Sequence, residues 1–142
     1  MMSLNSFNYK IPLHIRFADI DLFGHVNNAV YLTYFEIARS SYWSEVIQWN
    51  WNEMGIIIGR SEINYLKPIG LKDQILAYVR TSRIGNSSFD LEYALVKTYN
   101  GAEEICTTGQ TVCIAFDYNQ NQSLPIPEAQ KLKMQMFEAL EV

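Results

Sequence analysis

Residues 29–46 constrain this chain more than any other stretch. Read as one helix from about Ala29 to Val46, they place Val30, Tyr31, Leu32, Tyr34, Phe35, Ile37, Ala38, Tyr42, Trp43 and Val46 around nearly the whole circumference. Thr33, Glu36, Ser40 and Ser44 recur at three- and four-residue spacing and leave one narrow polar stripe. A helix with so little polar surface has to be buried on most sides. The chain has 142 residues, room for a single domain over 1–142, so the simplest cover is a sheet curved around the helix.

The remaining sequence supplies such a sheet. A short strand is expected around Ile11 to Phe17, ahead of the helix. After it, Ile56-Ile57-Ile58 and Ser61 to Leu66 read as one or two strands. Lys67-Pro68-Ile69-Gly70 is a break, since proline lacks the donor a central strand needs. Gln74 to Arg83 is the next strand, and Ile84-Gly85-Asn86-Ser87 turns the chain. Phe89, Leu91, Tyr93 and Leu95 then alternate with Asp90 and Glu92, the pattern of a half-buried strand. Asn100-Gly101 is the strongest hairpin signal, and a strand from about Glu104 to Phe116 follows, with Val112, Ile114 and Phe116 on one face. Pro125 and Pro127 lead into a short amphipathic helix, Glu128 to Leu140. This order is an α+β layout, one long helix against one antiparallel sheet. Its open edges and uncovered aromatics predict at least a dimer.

Composition narrows the function classes. A hydrophobic fraction of 49% argues for a packed core. A net charge of −4 and a pI near 5.1 exclude a nucleic-acid partner, which needs a basic face. No apolar run approaches the ~20 residues of a membrane span. Met1 to Lys10 do not read as a signal peptide, so a cytoplasmic protein without a membrane partner is expected. Cys106 and Cys113, if on one strand, are an odd number of residues apart and fall on opposite faces, so they do not pair. No Cys-X-X-Cys or Cys/His cluster predicts a metal.

The chemistry-bearing residues crowd just before the helix: Asp19, Asp21, Gly24, His25, Asn27 and Asn28. Asn27 or Asn28 is expected to cap the helix through its side-chain oxygen. A carboxylate on a loop that runs into a helix N-terminus suits acyl transfer. The loop supplies the base or nucleophile, and the first-turn N–H groups supply an oxyanion site. Each residue also has a plainer reading. Asp21 could bond its own backbone two residues on, His25 could be a hydrogen-bonded residue leading into the helix, and Asp19 pairs with Arg16 across an i, i+3 gap. With no Gly-X-Ser-X-Gly and only His14 and His25, a serine triad is not indicated.

The layout resembles the hot-dog fold, in which a sheet wraps one central helix. More narrowly, the chain resembles the 4-hydroxybenzoyl-CoA thioesterase family. The likeness is carried by Asp19-Ile20-Asp21-Leu22-Phe23-Gly24-His25-Val26-Asn27-Asn28 and by Tyr31-Leu32-Thr33-Tyr34-Phe35-Glu36-Ile37-Ala38-Arg39. Tyr65-Leu66-Lys67-Pro68, Gly70-Leu71-Lys72-Asp73 and Ser87-Ser88-Phe89 extend it. The resemblance implies hydrolysis of an acyl-CoA thioester to free acid and CoA. Asp21 would be the nucleophile or general base, and backbone N–H groups near Val26 to Asn28 the oxyanion hole. His25, Asn27 and Asn28 would assist or orient the acyl group. It implies no cofactor, since CoA is part of the substrate, and an acyl-CoA or acyl carrier protein partner in a homodimer or homotetramer. The turn before Phe89 corresponds to the CoA phosphate contact of relatives, but carries Asn86, Ser87 and Ser88 where they have arginine or lysine. Ser87 and Ser88, with Arg83 and Lys67, are therefore the expected CoA contacts, with Lys72 and Arg60 nearby.

Two further readings stand beside hydrolysis. One is a hot-dog enoyl-acyl hydratase or dehydratase that pairs Asp21 with His25. The other is a non-catalytic acyl-CoA or acyl-carrier-protein binding module. Glu36, two turns into the helix, is an alternative carboxylate. The aromatics Tyr31, Tyr34, Phe35, Tyr42 and Trp43 read as core or dimer interface. Trp49 and Trp51 fill a gap or line an acyl pocket.

Overall fold

In the computed structural model, which describes residues 2–140, β1 (Lys10–Leu13) and α1 (Val30–Tyr42) come first. Then follow β2 (Gly55–Tyr65), β3 (Gln74–Ile84), β4 (Ser88–Tyr99), β5 (Ala102–Asp117), the short β6 (Gln122–Ser123) and α2 (Glu128–Glu138). The sheet is antiparallel, in the order β1-β3-β4-β5-β2, with β6 against the end of β5. Asn100 and Gly101 both take positive φ, 50° and 79°, which closes the β4–β5 hairpin in two residues.

One face of the sheet packs on α1. Phe89, Leu91, Tyr93 and Leu95 of β4 are fully buried there with Cys113 and Ala115 of β5. The seat of the helix is the ring of Phe35, stacked on Tyr93 at 4.3 Å between centroids. A glycine at 109 on β5 permits this approach, because a Cβ there would overlap the Phe35 ring. On the outer face a smaller cluster of Phe7, Tyr78, Ala94 and Val96 forms where the N-terminal segment crosses the strands.

Several sequence expectations change. β1 is shorter than Ile11 to Phe17, because Phe17–Asp19 coil into a 3-10 turn. α1 ends at Tyr42, and Trp43–Ile47 continue as one π-helical turn that stops at Gln48, φ 56°. The two candidate strands after it are one, β2, with a bulge at Gly59 where the register jumps between Ile58 and Arg60. The helix is not buried on most sides either: Leu32, Thr33, Glu36, Ile37 and Ser40 form an exposed face. Finally, the face argument for the cysteines fails at a second irregularity. The β4–β5 register shifts between Leu95 and Val96, leaving Cys106 without an opposite residue, and it joins Cys113 in the same core. Both are free thiols. Burial pushes both up, Cys113 to about 12.

Candidate active site

Between the Phe17–Asp19 turn and α1 the backbone doubles back. Asp21 N–H donates to the His25 carbonyl (2.9 Å) and Asn27 N–H to the Asp19 carbonyl (2.8 Å), while Ile20 faces Val26 across an isolated bridge. Gly24, at φ 86°, makes the reversal in a conformation that side chains with a Cβ rarely adopt. Val26 N–H donates to the Ile69 carbonyl at 2.8 Å, fastening the hairpin to the loop between β2 and β3.

Asp21 sits half-buried in this hairpin. Its Oδ1 accepts the N–H of Phe23 (2.9 Å) and of His25 (3.4 Å), so the turn role is real. Its Oδ2 has no partner among the described residues. The His25 ring is exposed and likewise unbonded among them. Asn27 Oδ1 accepts the N–H of Ala29 at 2.9 Å. The expected cap thus falls before the helix: Asn27, two residues ahead of the cap position, turns the chain toward the helix, Ala29 holds that position without a side-chain bond, and α1 starts at Val30.

The oxyanion donors also narrow. Val26 and Asn27 N–H are taken by the carbonyls of Ile69 and Asp19. Of the three N–H groups expected from the sequence, Asn28 alone keeps its N–H without a partner among the described residues. The hairpin takes the Asn27 N–H and the β2–β3 loop takes that of Val26, pairings that composition and spacing do not reveal.

Asp19 is only 1% exposed. It accepts Arg16 N–H (3.0 Å), Nε (3.0 Å) and Nη2 (2.7 Å), the pair expected from the sequence, and also the Tyr34 hydroxyl at 2.6 Å. Burial by itself would raise the carboxyl, but the bonds from Arg16 and Tyr34 outweigh it and hold it below the usual carboxylate range. Burial and Asp19 together push the Tyr34 hydroxyl up. On the other side, the Tyr65 hydroxyl donates to the Asn28 carbonyl at 2.9 Å. The Tyr31 ring lies between, 6.1 Å from Tyr34 and 4.9 Å from Tyr65. The sequence reading left Tyr34 in the core and Tyr65 at a strand exit. The three-residue spacing of Tyr31 and Tyr34 just behind the two aspartates was the available signal.

Of the expected CoA contacts, Lys67 follows Tyr65 at the hairpin end of the sheet, whereas Arg83, Ser87 and Ser88 lie at the other end. Arg83 donates through Nε and Nη2 to Asp90, both at 2.9 Å, and through Nη2 to Ser88 Oγ at 2.9 Å. Lys67 Nζ is 2.7 Å from Glu104. Both cations therefore carry a carboxylate partner. Arg83, Ser87 and Ser88 lie at the β3–β4 turn, and at ~3.3 Å per residue that is roughly 30 Å along β3 from its Gln74 end. The Asp21 hairpin is fastened beside the Gln74 end, through Ile69. One copy of the chain thus holds Asp21 and Arg83 at opposite ends of its sheet. Glu36 is exposed and 3.6 Å from Arg39, away from the hairpin. Among the described residues no group of three or more His, Cys, Asp or Glu could hold a metal ion, and no helix is long and apolar enough to cross a membrane.

The chain is similar to known proteins over nearly its whole length. A family-wide profile described as the thioesterase-like superfamily matches residues 15–134. The uncharacterized protein YsmA of Bacillus subtilis (strain 168) is 28% identical over 127 residues, 89% of this chain and 84% of that protein. A thioesterase from Thermus thermophilus, complexed with coenzyme A and Zn, is 34% identical; the match covers 98% of this chain and 100% of that one, with a TM-score of 0.84. A mutant 4-hydroxybenzoyl CoA thioesterase complexed with 4-hydroxybenzoyl CoA superposes at a TM-score of 0.81 over 89% of this chain and 97% of that one; at 13% identity this speaks for the fold alone. The chain belongs to the thioesterase-like superfamily, as a thioesterase of the hot-dog fold.

Proposed function

We propose that the chain hydrolyses acyl-CoA thioesters to the free carboxylic acid and CoA, with the Asp21 carboxylate as nucleophile or general base. The observation that carries this reading is a carboxylate oxygen, Asp21 Oδ2, and a backbone donor, Asn28 N–H, both without a partner among the described residues, on one short hairpin at the start of α1. A thioester carbonyl oxygen placed on the Asn28 N–H would gain a hydrogen bond and the positive end of the α1 dipole as it becomes an oxyanion. Asp21 Oδ2 then attacks the carbonyl carbon or removes a proton from the water that does. Both routes build an oxyanion on the same carbonyl oxygen and expel the thiolate without a strong acid; the nucleophilic route leaves a mixed anhydride on Asp21, which water then cleaves to the free acid and the carboxylate. His25 and Asn27 flank the carboxylate and orient the acyl group. No metal or organic cofactor takes part in this scheme, and an acyl carrier protein would present the same thioester.

The CoA contacts call for a second copy. β2 is a long edge strand whose Tyr65 end lies beside Asn28 and whose Gly55 end lies beside Phe116 and, across β5, near Ser88. Antiparallel pairing of β2 with β2 of another copy would set the Tyr65 end of one against the Gly55 end of the other. That arrangement brings the Arg83–Ser88 turn of one protomer toward Asp21 of its partner. It accounts for the distance between the two groups within one chain.

The test is thiol release from a panel of short, long and aromatic acyl-CoAs. Asp21→Asn is expected to lower turnover by about 10²–10⁴-fold, the range for a lost base. Wild-type turnover in that variant would refute the mechanism, and loss or gain of water with the thioester retained would favour a hydratase. Mixing Asp21→Asn with Arg83→Ala subunits tests the shared site, since hybrid dimers regain one intact site in two, roughly a quarter of wild-type activity overall. No recovery after subunit exchange would mean that Arg83 does not serve the Asp21 site of the partner protomer.

A further inference from the structure

Two tyrosine hydroxyls reach the two halves of this site from two different parts of the scaffold. Tyr34, on α1, donates to Asp19 Oδ2 at 2.6 Å. The Asp19 carbonyl in turn accepts Asn27 N–H, and Ile20 bridges Val26, so the strand carrying Asp21 cannot slide along the strand leading to Asn28 without disturbing Asp19. Tyr65, the last residue of β2, donates to the Asn28 carbonyl at 2.9 Å and so fixes the peptide unit next to the oxyanion donor. Tyr31 fills the space between the two rings.

We propose that Tyr34 and Tyr65 are positioning residues, whose hydroxyls hold the Asp21 carboxylate and the Asn28 N–H at a fixed separation. The inference rests on the roles assigned above to Asp21 and Asn28. Neither hydroxyl is a candidate for the chemistry itself. That of Tyr34 is on a residue 1% exposed and is committed to Asp19. That of Tyr65, although half the residue is exposed, is committed to a backbone carbonyl. A carbonyl carbon must sit within reach of the carboxylate while its oxygen sits on the N–H, and a displacement of ~1 Å in such an arrangement can cost about 10²-fold in rate. Phenylalanine at either position keeps the ring packing and removes only the tether.

The experiment uses the full chain with Tyr34→Phe and Tyr65→Phe, each compared with wild type and with Asp21→Asn. Single-turnover hydrolysis with enzyme in excess gives a rate constant that does not depend on the fraction of folded protein. Binding of a CoA thioether, which cannot be hydrolysed, gives affinity separately. Each variant is expected to lose roughly tenfold in the single-turnover constant, with thioether affinity within twofold of wild type. Constants at the wild-type level overturn the proposal, and so does a fall in rate matched by an equal fall in thioether affinity, which would make the hydroxyl a substrate contact. If Tyr34→Phe does not fold, the exposed Tyr65 carries the test alone. An active Asp21→Asn removes the site assignment itself, whereas an inactive Asp21→Asn beside wild-type tyrosine variants removes only the positioning role.

Discussion

Two acidic side chains meet α1, one toward each end, and they are held differently. Asp19 accepts the Tyr34 hydroxyl at 2.6 Å, and Glu138 of α2 accepts the Tyr42 hydroxyl at 2.6 Å. The tyrosine contact is the same in both. Asp19 also receives three N–H groups of Arg16. Glu138 receives the Thr81 N–H at 2.7 Å, but its other oxygen, Oε1, is buried with no partner among the described residues, and the nearby Arg80 is bonded to Glu92. Asp19 is accordingly held below the ordinary carboxylate range, while burial pushes Glu138 above it. A bonded cation sets the direction in which each acid is shifted. The acid shifted down fixes the hairpin that bears Asp21, and the acid shifted up docks the last helix.

The strongest way to break this comparison is Asp19→Asn. The amide leaves Arg16 and Tyr34 with a weaker acceptor and presents an N–H₂ to donors in a buried place. The expected cost is about 1–3 kcal/mol in urea unfolding. Because the hairpin loosens, kcat should also fall by about tenfold or more. A variant as stable and as active as the parent would mean that Asp19 is not what holds the hairpin.

The sequence showed the local part of this arrangement. Arg16 and Asp19 are three residues apart, and Asp21 to Asn28 form a contiguous motif, so spacing alone brought them together. The turn at Asn100-Gly101 was legible for the same reason, since positive φ is a property of those two residues. Contacts made across long stretches of chain were not legible. The pairing of Tyr42 with Glu138 spans 96 residues, and Tyr65 reaches Asn28 across 37. The bulges at Gly59 and Cys106 depend on how two strands curve together, so the alternation rule put the two cysteines on opposite faces when both lie in one core. The CoA contacts expected at Arg83 and Lys67 came from motif position, which says nothing about the carboxylates of Asp90 and Glu104 that face them.

Tyr42→Phe sharpens the contrast at a smaller scale. It removes a hydroxyl that donates to Glu138 and also meets Thr81 Oγ1 at 2.7 Å. The expected loss is about 1 kcal/mol of stability, with kcat unchanged, because nothing at this end of α1 touches the Asp21 hairpin. Tyr34→Phe is expected to do the reverse, slowing turnover more than it weakens the fold. Equal losses of kcat in the two variants would mean that the helix transmits any disturbance to the site, and the two ends would not be independent.

The smallest effect separates the two acids by the sign of their response to pH. A carboxyl held below its unfolded value, as in Asp19, contributes stability that is present above the ordinary carboxylate range and is lost as pH falls through its depressed folded value. A carboxyl raised by burial, as in Glu138, contributes stability that is complete below its unfolded value and fades as pH rises through the raised one. Glu138→Gln keeps an acceptor for Tyr42 and Thr81 and cannot ionise. Relative to wild type it should therefore gain stability as pH rises from the ordinary carboxylate range through the raised folded value of Glu138, by no more than about 1 kcal/mol. Asp19→Asn should show the opposite course: its deficit is largest near neutrality and shrinks toward acid. Urea midpoints measured across that range for the two variants and wild type read both slopes at once. Curves that run parallel to wild type for both variants would mean that neither acid differs between the folded and unfolded chain, and the bonded cation would then not be what sets them apart.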